Sequence, residues 1–138
     1  MGSQNDWATA RAPSIVELEG LAAAAWQRLP PEFRGLCDSI VIRVEEFAAE
    51  EVLHALNIES PFDLMGLYQG VSLDRKSVMD ITQGPDMVFL YRRALLDYWS
   101  ESDETLGHLV THVLVHEIGH HFGLSDADMD RIEGSVAV

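Results

Sequence analysis

The chain has one cysteine, nine basic residues against 23 acids, and no apolar run near the roughly 18 residues a membrane span needs. Each scarcity excludes something. Cys37 alone cannot close an internal disulfide, which suits a reducing compartment. A net charge of −14 disfavours a nucleic-acid or anionic-membrane surface, because phosphate binding needs clustered Lys and Arg. The basic clusters are the pairs Arg75-Lys76 and Arg92-Arg93, two dipeptides that make no stripe. The opening MGSQNDWATARAPS has no basic start followed by an apolar stretch, and Asp6 sits where a myristoylation signal wants Ser or Thr. A soluble cytoplasmic protein with no nucleic-acid or membrane partner is expected.

What is present is a globular composition. With 47% hydrophobic and 23% charged residues over 138 positions, the chain can bury one core, and disorder is a poor description of it. Residues 1 to 13 lack periodicity and read as a loose lead-in, which leaves 14–138 as a single domain. Ser14 with Glu17 three places on has capping-box spacing, and apolar residues then recur from Ile15 to Trp26 until Pro30-Pro31 stops them. SIVIRV, Ser39 to Val44, is β-branched and reads as a strand; AAEEVLHALN, Ala48 to Asn57, returns to a helical period. LYQGVSL, starting at Leu67, reads as a strand interrupted at Gly70. MVFLY, Met87 to Tyr91, reads as another strand, followed by a short helix through Leu95 to Trp99.

From Ser102-Asp103 a helix of about five turns is expected to reach Phe122, with Gly123 placed to end it. Leu106, Leu109, Val110, Val113, Leu114, Val115, Ile118 and Phe122 make it apolar nearly all round, so it belongs in the interior. Polar groups on such a helix must be paired or bound to something. Its last turns read HEIGHHFGLSD, His116 to Asp126. Residues i and i+4 lie about 6 Å apart on one helix face, so His116 and His120 can share one zinc ion. Glu117, about 100° round, is poorly placed as a third ligand but well placed to hold a water beside the metal. Gly123 in a left-handed conformation can turn the chain so that Asp126 swings back as the third ligand. Shuffling this composition yields roughly 0.02 copies of His-Glu-x-x-His, and requiring the Gly and the acid lowers that about a hundredfold.

HEIGHHFGLSD resembles the His-Glu-x-x-His-x-x-Gly-x-x-Asp form of the zincin metallopeptidase motif. Together with the upstream DLMGLYQGVSL it is similar to the minimal zincins, small bacterial zincin-like metallopeptidases, over about Pro30 to Glu133. The resemblance implies an α+β fold, with a small mixed sheet packed beside a long zinc-binding helix, and peptidase activity. Carried over, it implies Zn2+ held by His116, His120 and Asp126, with Glu117 as general base. The minimal members lack much of the C-terminal wall of larger zincins, and this chain runs only 12 residues beyond Asp126.

The other candidates carry plainer readings beside the sharp ones. Asp126 also suits the first turn of a helix over 126 to 134 capped by Ser125. His121 and Asp128 are reserve ligands, with a hydrogen-bonding role for His121 the better reading. His112 and His108 continue the four-residue step; buried, hydrogen-bonded imidazoles are expected there ahead of a second metal. His54 has no evident partner. Met129 follows Asp126 too closely for a Met-turn and is expected to pack, while Gly119 is expected where a neighbouring element comes close. Tyr91 and Tyr98 can in principle stabilise an oxyanion, but core or interface roles suit them better.

The expectation is a zinc-dependent metallopeptidase acting on a peptide or protein substrate, with the Met87–Tyr91 strand, if an edge, aligning an extended peptide. The alternative is a non-catalytic zinc-binding module for structure or interaction on a zincin-like scaffold. A deformylase would take a cysteine from a Gly-Cys context, whereas Cys37 lies in RGLCDSI, and is set aside.

Overall fold

Ser14 starts the first long helix as its spacing predicts. In the computed structural model, which describes residues 5–37, 40–70 and 86–136, the Ser14 hydroxyl accepts the Glu17 N–H at 3.1 Å. The Glu17 carboxylate accepts the Ser14 N–H at 2.9 Å, closing the box. A single helical turn, α1 (Asn5–Ala8), precedes it; α2 (Ile15–Arg28) then runs until the chain passes through Leu29 and Pro30 into α3 (Pro31–Arg34). The buried face of α2 is Leu18, Ala22 and Ala25. Two alanines in that face let a neighbouring helix approach closely.

The sheet is small and mixed. Strand β1 (Ile40–Glu45) is followed by α4 (Glu50–Ala55), a 3-10 turn (Pro61–Asp63) and β2 (Gly66–Gln69); β3 (Asp86–Tyr91) comes last. The spatial order is β1-β3-β2, with β3 parallel to β1 and antiparallel to β2. So β3 is the central strand, and the expectation that Met87 to Tyr91 might form an edge is corrected. Its unbroken apolar run is the physical reason, since a strand covered on both faces does not alternate; Val88 and Leu90 are fully buried. Among the described residues the edge beside the C-terminal helices is β2. The expected strand through Gly70 is seen as Gly66–Gln69, and Val71 to Leu73 lie outside the described residues.

Helix α5 (Arg92–Ser100) leads to the long helix α6 (Leu106–His121), and α7 (Asp126–Gly134) closes the described fold. The cap of α6 is Thr105, whose hydroxyl accepts the His108 N–H at 3.1 Å. Ser102, expected to start this helix, instead finishes α5, donating its hydroxyl to the Trp99 carbonyl at 3.2 Å. A serine can serve either end of a loop, and here the preceding helix takes it. Helix α6 packs between α2 and the β2–β3 side of the sheet, burying Leu109, Val110, Val113, Leu114, Val115 and Ile118. The one buried polar side chain recorded among the described residues, Thr111, donates to the Gly107 carbonyl at 2.9 Å. The result is an α+β arrangement in which one buried helix is the hub.

The Glu17 carboxyl is held below the usual range by its hydrogen bonds to the Ser14 backbone and hydroxyl. A lowered folded-state value contributes stability above the ordinary carboxyl range, and loses it as pH falls through the lowered value. Ser14→Ala is expected to destabilise the protein at neutral pH by about 1 kcal/mol. Thermal unfolding of wild type and Glu17→Gln should differ at pH 7 and converge toward pH 3, and equal differences at both would contradict this account.

Candidate functional site

The end of α6 and the start of α7 meet at a tight bend. The N–H of Gly123 bonds the His120 carbonyl and that of Leu124 bonds the Gly119 carbonyl, while Gly123 adopts φ +76°. This is the left-handed helix ending that its place in the motif predicts. Ser125 then caps α7, accepting the Asp128 N–H at 3.1 Å. Met129 locks the corner: it is fully buried, and a Cβ at Gly119 would stand 2.5 Å from its sulfur. Both expectations for this pair, packing for Met129 and close approach at Gly119, are met.

His112, His116 and His120 stand at four-residue steps along α6. Their rings are in series, with centroids 4.0 Å apart for His112 and His116 and 5.5 Å apart for His116 and His120. The Nε2 of His120 lies 4.0 Å from Asp126 Oδ1, so the bend does bring that carboxylate back toward the helix. His116 faces elsewhere. Its Nε2 is 3.1 Å from Glu133 Oε2, and the other oxygen of Glu133 is 2.8 Å from His112 Nδ1. Among the described residues, the donor atoms that gather within 4.8 Å of one another are those of His112, His116 and Glu133. Two imidazoles and a carboxylate are the chemistry of a zinc-type site, so this group can hold a metal ion. Thus the structure pairs His120 with Asp126, and His116 with Glu133.

Glu133 has no motif spacing to reveal it, because it reaches the site only through the packing of α7 on α6. His112 was visible as a continuation of the histidine step. Among the remaining histidines, His108 bonds Glu104 Oε1 at 2.7 Å, so it is hydrogen-bonded as expected but exposed rather than buried, because it lies in the first turn of α6. His121, expected to hydrogen-bond, instead stacks on Tyr68 with centroids 4.0 Å apart.

Glu117 points to the sheet side of α6. Burial pushes its carboxyl above the ordinary range, while the neighbouring His120 and the Tyr68 backbone N–H pull the other way. A Cβ on Gly66 would lie 3.3 Å from Glu117 Cγ and 2.7 Å from Val113 Cγ1, so β2 and α6 meet at a contact only glycine allows. Tyr68, two residues along β2, has its hydroxyl 3.8 Å from Cys37 Sγ, and burial raises that phenol far above its normal range. Tyr91 is buried, its phenol pushed up to about 12 chiefly by burial, with the charges of Glu45 and Glu117 adding to it. Tyr98 is half exposed on α5.

The family model for zincin-like metallopeptidases matches residues 37–136, a stretch holding β1, the sheet, α6 and α7. No curated protein matches the chain.

Gly66→Ala is expected to force α6 off the edge strand and to destabilise the protein by about 1–3 kcal/mol, the range for overpacking. Chemical denaturation measures it. Adding Val113→Ala should recover part of the loss, and no recovery would place the strain elsewhere.

Proposed function

The chain belongs to the zincin-like metallopeptidase family, and we propose that it hydrolyses peptide bonds with Zn2+ held by His116, His120 and Asp126 and with Glu117 as general base. The observation that carries this reading is the position of Glu117. It sits one residue past His116, at the buried junction of α6 with the edge strand, with His120 beside it. The donors suit zinc, which when bound supplies a Lewis acid that polarises a carbonyl and acidifies water.

Glu117 accepts a proton from the attacking water at its carboxylate. As the carbon–nitrogen bond breaks, it returns that proton to the departing amine. Partial desolvation favours this work, because a carboxylate raised above its ordinary range is a better base near neutrality. The side of β2 on which no described strand pairs is where a substrate in extended form would be held by backbone pairing, a role that passes from the central β3 to this strand. A soluble cytoplasmic location is part of the same proposal, and no helix among the described residues is long and apolar enough to cross a membrane.

A second reading, a zinc-binding module without turnover, draws on the turning of His116 toward Glu133. Glu117→Gln decides between them. It is expected to keep zinc by elemental analysis while cleavage of a peptide library falls by about 100- to 10,000-fold. Undiminished turnover would remove Glu117 from its role, and a wild-type protein that binds zinc yet cleaves nothing favours the module.

A further inference from the structure

Glu133 offers both carboxylate oxygens to two different histidines of the same helix, at 2.8 Å to His112 Nδ1 and 3.1 Å to His116 Nε2. We propose that His112, His116 and Glu133 form a second divalent-cation site, one that shares His116 with the catalytic set and therefore competes with it for a single ion.

The donor set selects the cation. Two imidazoles with one carboxylate suit Zn2+ and its late-transition neighbours, whereas Mg2+ and Ca2+ prefer all-oxygen cages. The spacing is close to what is needed. Donors around a tetrahedral ion with bonds near 2.1 Å stand about 3.4 Å apart. One ligand atom from each of the three residues already lies within 4.8 Å of the others, and Glu133 meets the two rings through different oxygens, at 2.8 and 3.1 Å. An ion entering between them replaces two hydrogen bonds with three bonds to metal. Each ring binds through a nitrogen lone pair, so a proton on that nitrogen leaves or moves to the ring's other nitrogen. Access is from the His112 side, since that side chain is 42% exposed while Glu133 is 11% exposed. Solvent on that side supplies the remaining ligand position.

The site is built on rigid elements. His112 and His116 are one turn apart on the buried helix, and Glu133 sits on α7, which Met129 anchors beneath Gly119. The shared nitrogen is the essential point. A histidine that binds zinc alongside His120 has to present an inward ring nitrogen, and the Nε2 of His116 is the atom Glu133 now holds. One ion or the other can use it. The competing account makes Glu133 an outer partner that merely orients His116, a common companion of metal-binding histidines.

The two accounts separate in protein stripped of metal and titrated with ZnCl2 by calorimetry. His120→Ala/Asp126→Ala removes the catalytic ligands and leaves this site whole; it is expected to bind one Zn2+. Adding His112→Ala, or separately Glu133→Gln, should then weaken binding by more than the roughly 10- to 100-fold that a lost outer partner costs. The Gln variant keeps the size of Glu133, which guards against a folding defect. Absence of zinc binding in the double variant, or binding indifferent to His112 and Glu133, would overturn the proposal, as would two Zn2+ bound at once by the wild type. The complementary variant His112→Ala/Glu133→Gln, scored for zinc on the catalytic ligands, tests the peptidase reading by itself, so either can fail alone.

Discussion

Helix α6 packs against α2 on one side and the β2–β3 face on another, and its buried residues run from Leu109 to Gly119. A helix so enclosed has to place every polar group where a partner waits, because a buried, unpaired one costs several kcal/mol. The polar side chains on its covered faces follow this constraint, while His108, His112 and His120 keep part of their surface in water. Thr111 turns back onto its own helix, His108 takes Glu104, His112 and His116 take Glu133, and Glu117 is left at the sheet junction with its charge partly desolvated. The chemistry of the site is therefore what remains polar at the end of a helix that is otherwise core.

Two small residues set how near the partners come. Gly66 lets the edge strand lie against α6 beside Glu117, and Gly119 lets Met129 pass beneath the same helix from the other direction. The first contact positions the proposed base, and the second positions the helix that carries Asp126 and Glu133. Neither glycine needs an unusual backbone angle; what they supply is absence of volume. Gly123 differs in kind, since its positive φ is what reverses the chain.

Local signals were legible in the sequence. The Ser14–Glu17 box, the left-handed glycine at 123, the Ser125 cap and the packed Gly119–Met129 pair all depend on residues a few positions apart, and all stand where their spacing put them. The α+β class and the family followed from the zinc motif. What local spacing could not supply was pairing across the chain. The central place of β3 depends on two other strands, and Glu133 meets His116 across 17 residues and a bend. Ser102 was misplaced for another reason: two helix ends compete for one hydroxyl, and composition does not rank them.

The cysteine has a consequence of its own. Cys37 is buried, with its sulfur near the Tyr68 hydroxyl on the edge strand. A sulfhydryl in that position reacts with alkylating reagents only when the fold opens around it. It is therefore a native chemical stopwatch, timing how often the β2 margin of the molecule parts from the rest.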